Sequence, residues 1–192
     1  MSKIAIFGGS FDPVHKAHIQ IVQAVLQTLN LKKLIFVIAY IPPHKNKLYA
    51  NIKDRIAMLS LATKSLNNIE ISLHEAKQQS IVYSYQTLDY FQEIYPSDEV
   101  LMVLGSDSLV DLSNWKNIDY LTSKYKFIVV KRAGIYVYAN TKYFNKCIFI
   151  DKEIEDISST LVRAYLKSDK SKALEILNSN VYEYIFRKGL YQ

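Results

Sequence analysis

Two imidazoles stand three residues apart, His15 and His18, in the run Gly8-Gly9-Ser10-Phe11-Asp12-Pro13-Val14-His15-Lys16-Ala17-His18. At helical spacing they share one face of a helix, where their N–H groups can donate to phosphate oxygens and to charge developing during group transfer. Gly8, Gly9, Ser10 and Phe11 come just before, and glycines free of steric restriction let backbone N–H groups close on an anion. A helix starting near Lys16 adds the positive end of its dipole. His18 falls on the apolar stripe of that helix, which would hold its ring in place. The plainer alternative is a glycine turn, an exposed His15 and a core His18.

A second candidate is Ile157-Ser158-Ser159-Thr160-Leu161-Val162-Arg163. Hydroxyls and unpaired N–H groups at a helix start attract anions, and Arg163 can grip phosphate bidentately. The alternative is an ordinary N-cap followed by a surface arginine. Pro42-Pro43-His44-Lys45 sets two further cations behind a strand end, and its alternative is a rigid solvated loop. Asp107, after Leu104-Gly105-Ser106, could bond a ribose hydroxyl or cap the next helix. Trp115 could stack on a planar ring or fill core. Other chemistries lack their signatures: no G-x-G-x-x-G, Walker A, G-x-S-x-G elbow or zinc-ligand spacing occurs.

The elements needed to position these residues follow from hydrophobic periodicity. Strands are expected at Lys3–Phe7, Leu34–Tyr40, Ile69–Leu73, Glu99–Leu104, Lys126–Lys131 and Cys147–Ile150. Helices are expected from about Lys16 to Asn30, from Ile52, over Tyr85–Tyr95, within Leu109–Leu121, and in three short pieces from Ser158 to Arg187. Loops are expected at Gly8–Ser10, Ser80–Ser84 and Gly105–Asp107, while residues 135–146 give no assignable pattern. Strands alternating with helices predict an α/β fold with a mainly parallel sheet, in which loops at strand carboxyl ends bind ligands. No repeat or linker interrupts the chain, so residues 1–192 are read as one domain with a helical part from about 157 to 192.

The chain has 192 residues, 49% of them hydrophobic, enough for a large core and too many for disorder. A net charge of +6 suits phosphate-bearing partners or merely a solvated basic surface. No dense basic cluster with aromatic interleaving is present, so nucleic acid is disfavoured. The longest strongly apolar run, Leu34 to Ile41, falls far short of the roughly 20 residues that span a bilayer. A single cysteine, Cys147, cannot form an intrachain disulfide and fits a reducing compartment. These features lead to the expectation of a cytoplasmic protein that does not engage membranes.

Taken in order, the motifs resemble those of the nucleotidyltransferase superfamily, and specifically of bacterial nicotinate-nucleotide adenylyltransferases. The family's GG-[ST]-FDP-x-H-x-GH element is matched at Gly8–His18, its PPHK at 42–45 and its LG-x-D followed by Trp at Leu104–Asp107 and Trp115. Its ISST-x-x-R is matched at 157–163 and its Leu-Tyr ending at 190–191. Two positions depart from the pattern. Ala17 replaces a glycine, and Val82-Tyr83-Ser84 replaces Ser-Tyr-Thr in the loop that holds the nicotinate carboxylate.

The resemblance implies a Rossmann-like open sheet with helices on both faces and a small C-terminal helical region. It also implies adenylyl transfer from ATP to nicotinate mononucleotide, with Mg²⁺ held mainly through ATP phosphates. His15 and His18 would be catalytic. Gly8, Gly9, Ser10, Phe11, Gly105, Asp107, Ser158, Ser159 and Arg163 would bind ATP, while His44, Lys45, Tyr83, Ser84 and Trp115 would bind the nicotinate nucleotide. Alternatives are transfer to nicotinamide mononucleotide or to phosphopantetheine, and a nucleotide-binding module without catalysis.

Overall fold

The apolar run behind Lys3 forms a strand because it can be buried on both faces: Ile4, Ala5 and Ile6 have no exposed surface. The computed structural model of the chain describes residues 1–43, 47–133 and 142–192. In chain order the elements are β1 (Lys3–Gly9), α1 (Lys16–Thr28), β2 (Lys33–Ile38), α2 (Ile52–Thr63), β3 (Ile69–Ser72), α3 (His74–Gln78) and α4 (Ser84–Ile94). There follow β4 (Glu99–Gly105), α5 (Ser106–Val110), α6 (Ile118–Lys124), β5 (Lys126–Arg132), β6 (Cys147–Ile154), α7 (Ser159–Ser168), α8 (Lys170–Ile176) and α9 (Ser179–Lys188). Short 3₁₀ turns lie at Leu112–Asn114 and Phe144–Lys146.

The six strands form one sheet in the order β3-β2-β1-β4-β5-β6, and every neighbouring pair is parallel. Alternate residues of each strand feed two cores. On one face Ala5, Phe7, Leu34, Phe36, Leu101 and Val103 pack with α1, α2 and the α7–α9 region. On the other, Ile4, Ile6, Ile35, Val37, Val100 and Met102 pack with α4, α5 and α6. Helices therefore cover both faces, the doubly wound α/β arrangement expected.

This strand order reverses direction between β1 and β4. The β1–β4 ladder stops at Ile6↔Met102, although β1 stays paired with β2 as far as Gly9↔Ile38 and β4 with β5 as far as Gly105↔Val130. The two central strands thus part company over their last residues. The crevice they leave lies at the carboxyl edge of an open sheet at its topological switch point, where ligands bind in such folds.

Several boundaries differ from the sequence expectations. β1 runs through Gly8 and Gly9 instead of ending at Phe7, because those residues keep their ladder to β2. β2 stops at Ile38, two residues short of Tyr40. β4 passes directly into α5 at Ser106, so no loop lies at Gly105–Asp107. β6 extends to Ile154 because Arg132 pairs there across an irregularity in register. The helix α3, five residues long, was not anticipated, since one turn and a half is too short for a periodic signature. Of the unassigned stretch 135–146, residues 135–141 lie outside those described.

α3 meets α4 through a buried acid. Glu75 is 9% exposed, and the Thr87 hydroxyl donates to its Oε1 at 2.5 Å. Burial pushes the Glu75 carboxyl up to about 7, partly opposed by the Thr87 bond. The folded chain thus holds this proton more tightly than the unfolded chain. The carboxyl supports the fold fully below the ordinary glutamate value and loses that support as pH rises through about 7. Glu75→Gln retains an acceptor for Thr87 without titrating. Thermal melts should show the variant more stable than wild type at about pH 8, with the gap closing toward about pH 5.

Candidate active site

The site begins where β1 leaves the sheet. Neither Gly8 nor Gly9 adopts a positive φ; the residue that does is Phe11, at 47°. The glycine at position 9 is required for space, since a Cβ there would lie 2.8 Å from the Phe11 ring. That ring is 1% exposed and makes edge contacts with Phe7, Phe36 and His18 at centroid distances of 5.8, 5.5 and 5.1 Å. The glycines therefore admit an aromatic wedge against the strand end, and the left-handed turn at Phe11 starts the path into α1.

His15 is the N-cap of α1 and His18 its third residue. The His15 backbone N–H donates to His18 Nδ1 at 3.2 Å, and the His18 N–H donates to the His15 carbonyl at 3.1 Å. The two rings lie 3.7 Å apart at 31°, and His18 is further confined by Phe11 and Phe7. With Nδ1 accepting, the neutral His18 ring carries its proton on Nε2, so a single donor has a defined direction. The expected exposure of His15 under the plainer reading does not hold: it is 3% exposed, while His18 is half-buried.

Between the strand end and the histidines sits Asp12, 1% exposed. Its Oδ2 accepts the Tyr49 N–H at 2.7 Å, and its Oδ1 accepts the Ala50 N–H at 3.0 Å and the Tyr191 hydroxyl at 2.7 Å. Its carbonyl accepts from Arg163 Nη1 at 2.7 Å, and the next carbonyl, of Pro13, accepts the Ser159 hydroxyl at 2.9 Å. Ser158 caps α7 by accepting the Leu161 N–H. Arg163 also donates to Thr160 Oγ1 at 2.9 Å, and its guanidinium stands 4.1 Å from the Tyr49 ring centroid. The 157–163 element is thus both a helix cap and a brace against the β1–α1 connection.

Arg55, near the start of α2, is a residue that the sequence motifs do not single out. It is 2% exposed and donates from Nη1 to the carbonyls of Ser10 (2.9 Å) and Ala39 (2.7 Å), and from Nη2 to that of Tyr40 (3.0 Å). Burial lowers the guanidinium's proton affinity, with the Asp12 carboxylate opposing it. One buried cation thereby ties the carboxyl ends of β1 and β2 together. No pattern in the sequence marks a buried arginine; its spacing alone would have allowed a surface position.

Gly105 ends β4 and is the N-cap of α5; Asp107 is in the first turn of α5 and half-buried. Tyr83 is the N-cap of α4, its N–H bonded to Gln86 Oε1 at 2.9 Å, and Ser84 opens that helix instead of lying in the preceding loop. Trp115 is half-buried and, with Tyr85, lies against the core shared by α4 and α6. His44 and Lys45 lie outside the described residues. Among the described residues no group of three or more His, Cys, Asp or Glu side chains could hold a metal ion. Among them, too, no helix is long and apolar enough to cross a membrane.

An open parallel sheet with a paired-histidine helix start at its switch point defines a nucleotidyltransferase, and the cytidylyltransferase-like family model matches residues 6–165. The chain is 60% identical over 193 residues to a probable nicotinate-nucleotide adenylyltransferase of Endomicrobium trichonymphae, covering 100% of each. It is 34% identical over 193 residues to the nicotinate-nucleotide adenylyltransferase of Bacillus subtilis, again covering 100% of each. Among solved structures, the nicotinic acid mononucleotide adenylyltransferase of Plasmodium falciparum complexed with NaAD has the same fold, with a TM-score of 0.84. That match has 24% identity and covers 100% of this chain and 98% of the other. The chain belongs to the cytidylyltransferase-like nucleotidyltransferases and, within them, to the nicotinate-nucleotide adenylyltransferase family.

The Arg55 tie is testable by stability. Arg55→Met approximates the length of the side chain but removes the donor from one buried carbonyl and two half-buried ones, at about 1–3 kcal/mol for each that stays unsatisfied. Urea unfolding should show a loss of about 3 kcal/mol or more, with Arg55→Lys losing less.

Proposed function

We infer that the protein transfers the adenylyl group of ATP to nicotinate mononucleotide, giving nicotinate adenine dinucleotide and pyrophosphate. The observation that carries this reading is the His15–His18 pair at the start of α1, just beyond the end of β1, with the His18 ring oriented by the bond at its Nδ1. Two relatives that match the chain from end to end bear the same enzyme name. An oxygen of the mononucleotide phosphate attacks the α-phosphorus, a new P–O bond forms, and the bond to the bridging oxygen breaks as pyrophosphate leaves. Nothing in such a displacement requires a protein nucleophile. The protein's task is alignment and neutralisation of charge on the phosphoryl oxygens.

In this reading His18 donates to the α-phosphate as charge builds in the transition state, and His15 contacts the adjoining phosphates. The Gly8–Phe11 segment, Gly105 and Asp107 border the nucleoside of ATP. Ser158, Ser159 and Arg163 face the β- and γ-phosphates. Arg163 commits two hydrogen bonds to Asp12 and Thr160, which leaves part of its five-donor fork for an anion. His44 and Lys45 would approach the mononucleotide phosphate, and Tyr83, Ser84 and Trp115 the pyridine ring.

Mg²⁺ is proposed as the accompanying ion. In this reading the ion is held through ATP phosphates and water, a coordination that Mg²⁺ favours over an all-protein cage. When bound, it would neutralise phosphate charge. A cytoplasmic location is also proposed, on the ground that Cys147 is the only cysteine and has no intrachain partner for a disulfide.

Pyrophosphate release with ATP and Mg²⁺ should be much faster with nicotinate mononucleotide than with the nicotinamide form. Equal rates with the two mononucleotides, or turnover only with 4′-phosphopantetheine, would overturn the acceptor assignment. His18→Ala should lower kcat by about a hundredfold or more while the circular dichroism spectrum stays native. Loss of folding instead would make His18 a core residue only.

A further inference from the structure

The chain turns twice after α9, and the second turn delivers a side chain to the catalytic loop. Gly189 takes a left-handed φ of 62° at the helix end, and the Leu190 N–H returns to the Ile185 carbonyl at 3.1 Å. Tyr191 then adopts φ 63°, a conformation that tyrosine rarely takes and that needs surrounding structure to hold it. Its ring is 8% exposed and packed in the core on the α1 side of the sheet. Its hydroxyl donates to Asp12 Oδ1 at 2.7 Å, across 179 positions of sequence. Burial and the neighbouring Asp12 carboxylate push the phenol far above its ordinary value, so the hydroxyl remains a donor.

We propose that Tyr191 is a positioning residue for adenylyl transfer: its hydroxyl, bonded to the buried Asp12 carboxylate, holds the segment from Ser10 to His15 in the one arrangement that aims His18. The proposal rests on the reading of the site as an adenylyltransferase site. Asp12 lies three residues before His15, and His15 in turn supplies the N–H that orients the His18 ring. Three contacts from the region after β6 converge on residues 12 and 13, made by Ser159, Arg163 and Tyr191. Of these, only the Tyr191 bond reaches the carboxylate itself. The other two carboxylate donors are the backbone N–H groups of Tyr49 and Ala50, which lead into α2. Without the hydroxyl, the carboxylate of Asp12, a residue 1% exposed, loses its side-chain donor, and the loop can relax away from the helix start.

Tyr191→Phe keeps the ring and removes only the hydroxyl. Assayed well below its melting temperature with ATP, Mg²⁺ and nicotinate mononucleotide, it should lose about tenfold or more in kcat with KM for both substrates within about twofold. Leu177→Val, in the same core and 1% exposed, serves as a purely structural control and should lower the melting temperature without lowering kcat. Amide hydrogen exchange needs no activity: exchange at Val14 and His15 should rise about tenfold in Tyr191→Phe and stay unchanged in β5. If wild type turns over and Tyr191→Phe keeps its kcat, or loses it only in step with Leu177→Val, the positioning role is wrong while the functional reading stands. If wild type releases no pyrophosphate, the functional reading fails, and unchanged exchange at residues 14 and 15 would remove the loop-holding role as well.

Discussion

A carboxylate taken out of water must find donors for its oxygens, and Asp12 finds them in parts of the chain that would otherwise have no reason to meet. Its two oxygens collect N–H groups from the segment before α2 and a hydroxyl from beyond α9, while its own carbonyl takes Arg163 from α7. A buried anion left short of donors is far more costly than a missing neutral contact. Folding is therefore obliged to bring all three segments to the carboxyl end of β1. Arg55 supplies the opposite charge nearby and spends its hydrogen bonds on carbonyls at the ends of β1 and β2. The two buried charges draw the edge of the sheet into a fixed shape around the crevice.

That shape explains why the helix start at His15 can act as a chemical tool. Rings of Phe7, Phe11 and His15 surround His18, and a backbone N–H occupies its Nδ1. The ring has little left to reorganise when phosphate charge develops, which is the condition under which one donor contributes most. The same economy holds for the glycine at position 9, whose missing Cβ leaves room for the Phe11 wedge. Sheet topology, aromatic packing and two buried charges all act on one imidazole.

Much of this was legible in the amino-acid order. The alternation of apolar runs and amphipathic stretches anticipates the parallel sheet, the long helices and the position of the histidines at a strand's carboxyl end. The first helix after residue 157 follows from the hydroxyl cap that the structure reproduces at Ser158, while the N-caps of the next two, Asp169 and Asn178, come from the structure. Local signals failed where tertiary contacts decide. Gly8 and Gly9 look like a loop, yet ladder bonds to β2 keep them in the strand. Arg55 looks like a surface residue, because nothing nearby in sequence announces that three carbonyls await it. Tyr191 matches a family ending with no evident purpose until its hydroxyl is seen on Asp12. α3 is too short to show a period, and Glu75 within it gives no sign of burial.

The central claim is that the site works by alignment, with His18 as a donor and no residue of the chain ever bonded to phosphorus. Stereochemistry at the transferred phosphorus tests this most directly. With ATP carrying a chiral α-phosphorothioate, one in-line displacement by nicotinate mononucleotide gives a product inverted at the α-phosphorus. Inversion is the result this account predicts. Retention would require two successive displacements through a covalent adenylyl-enzyme, and would contradict it.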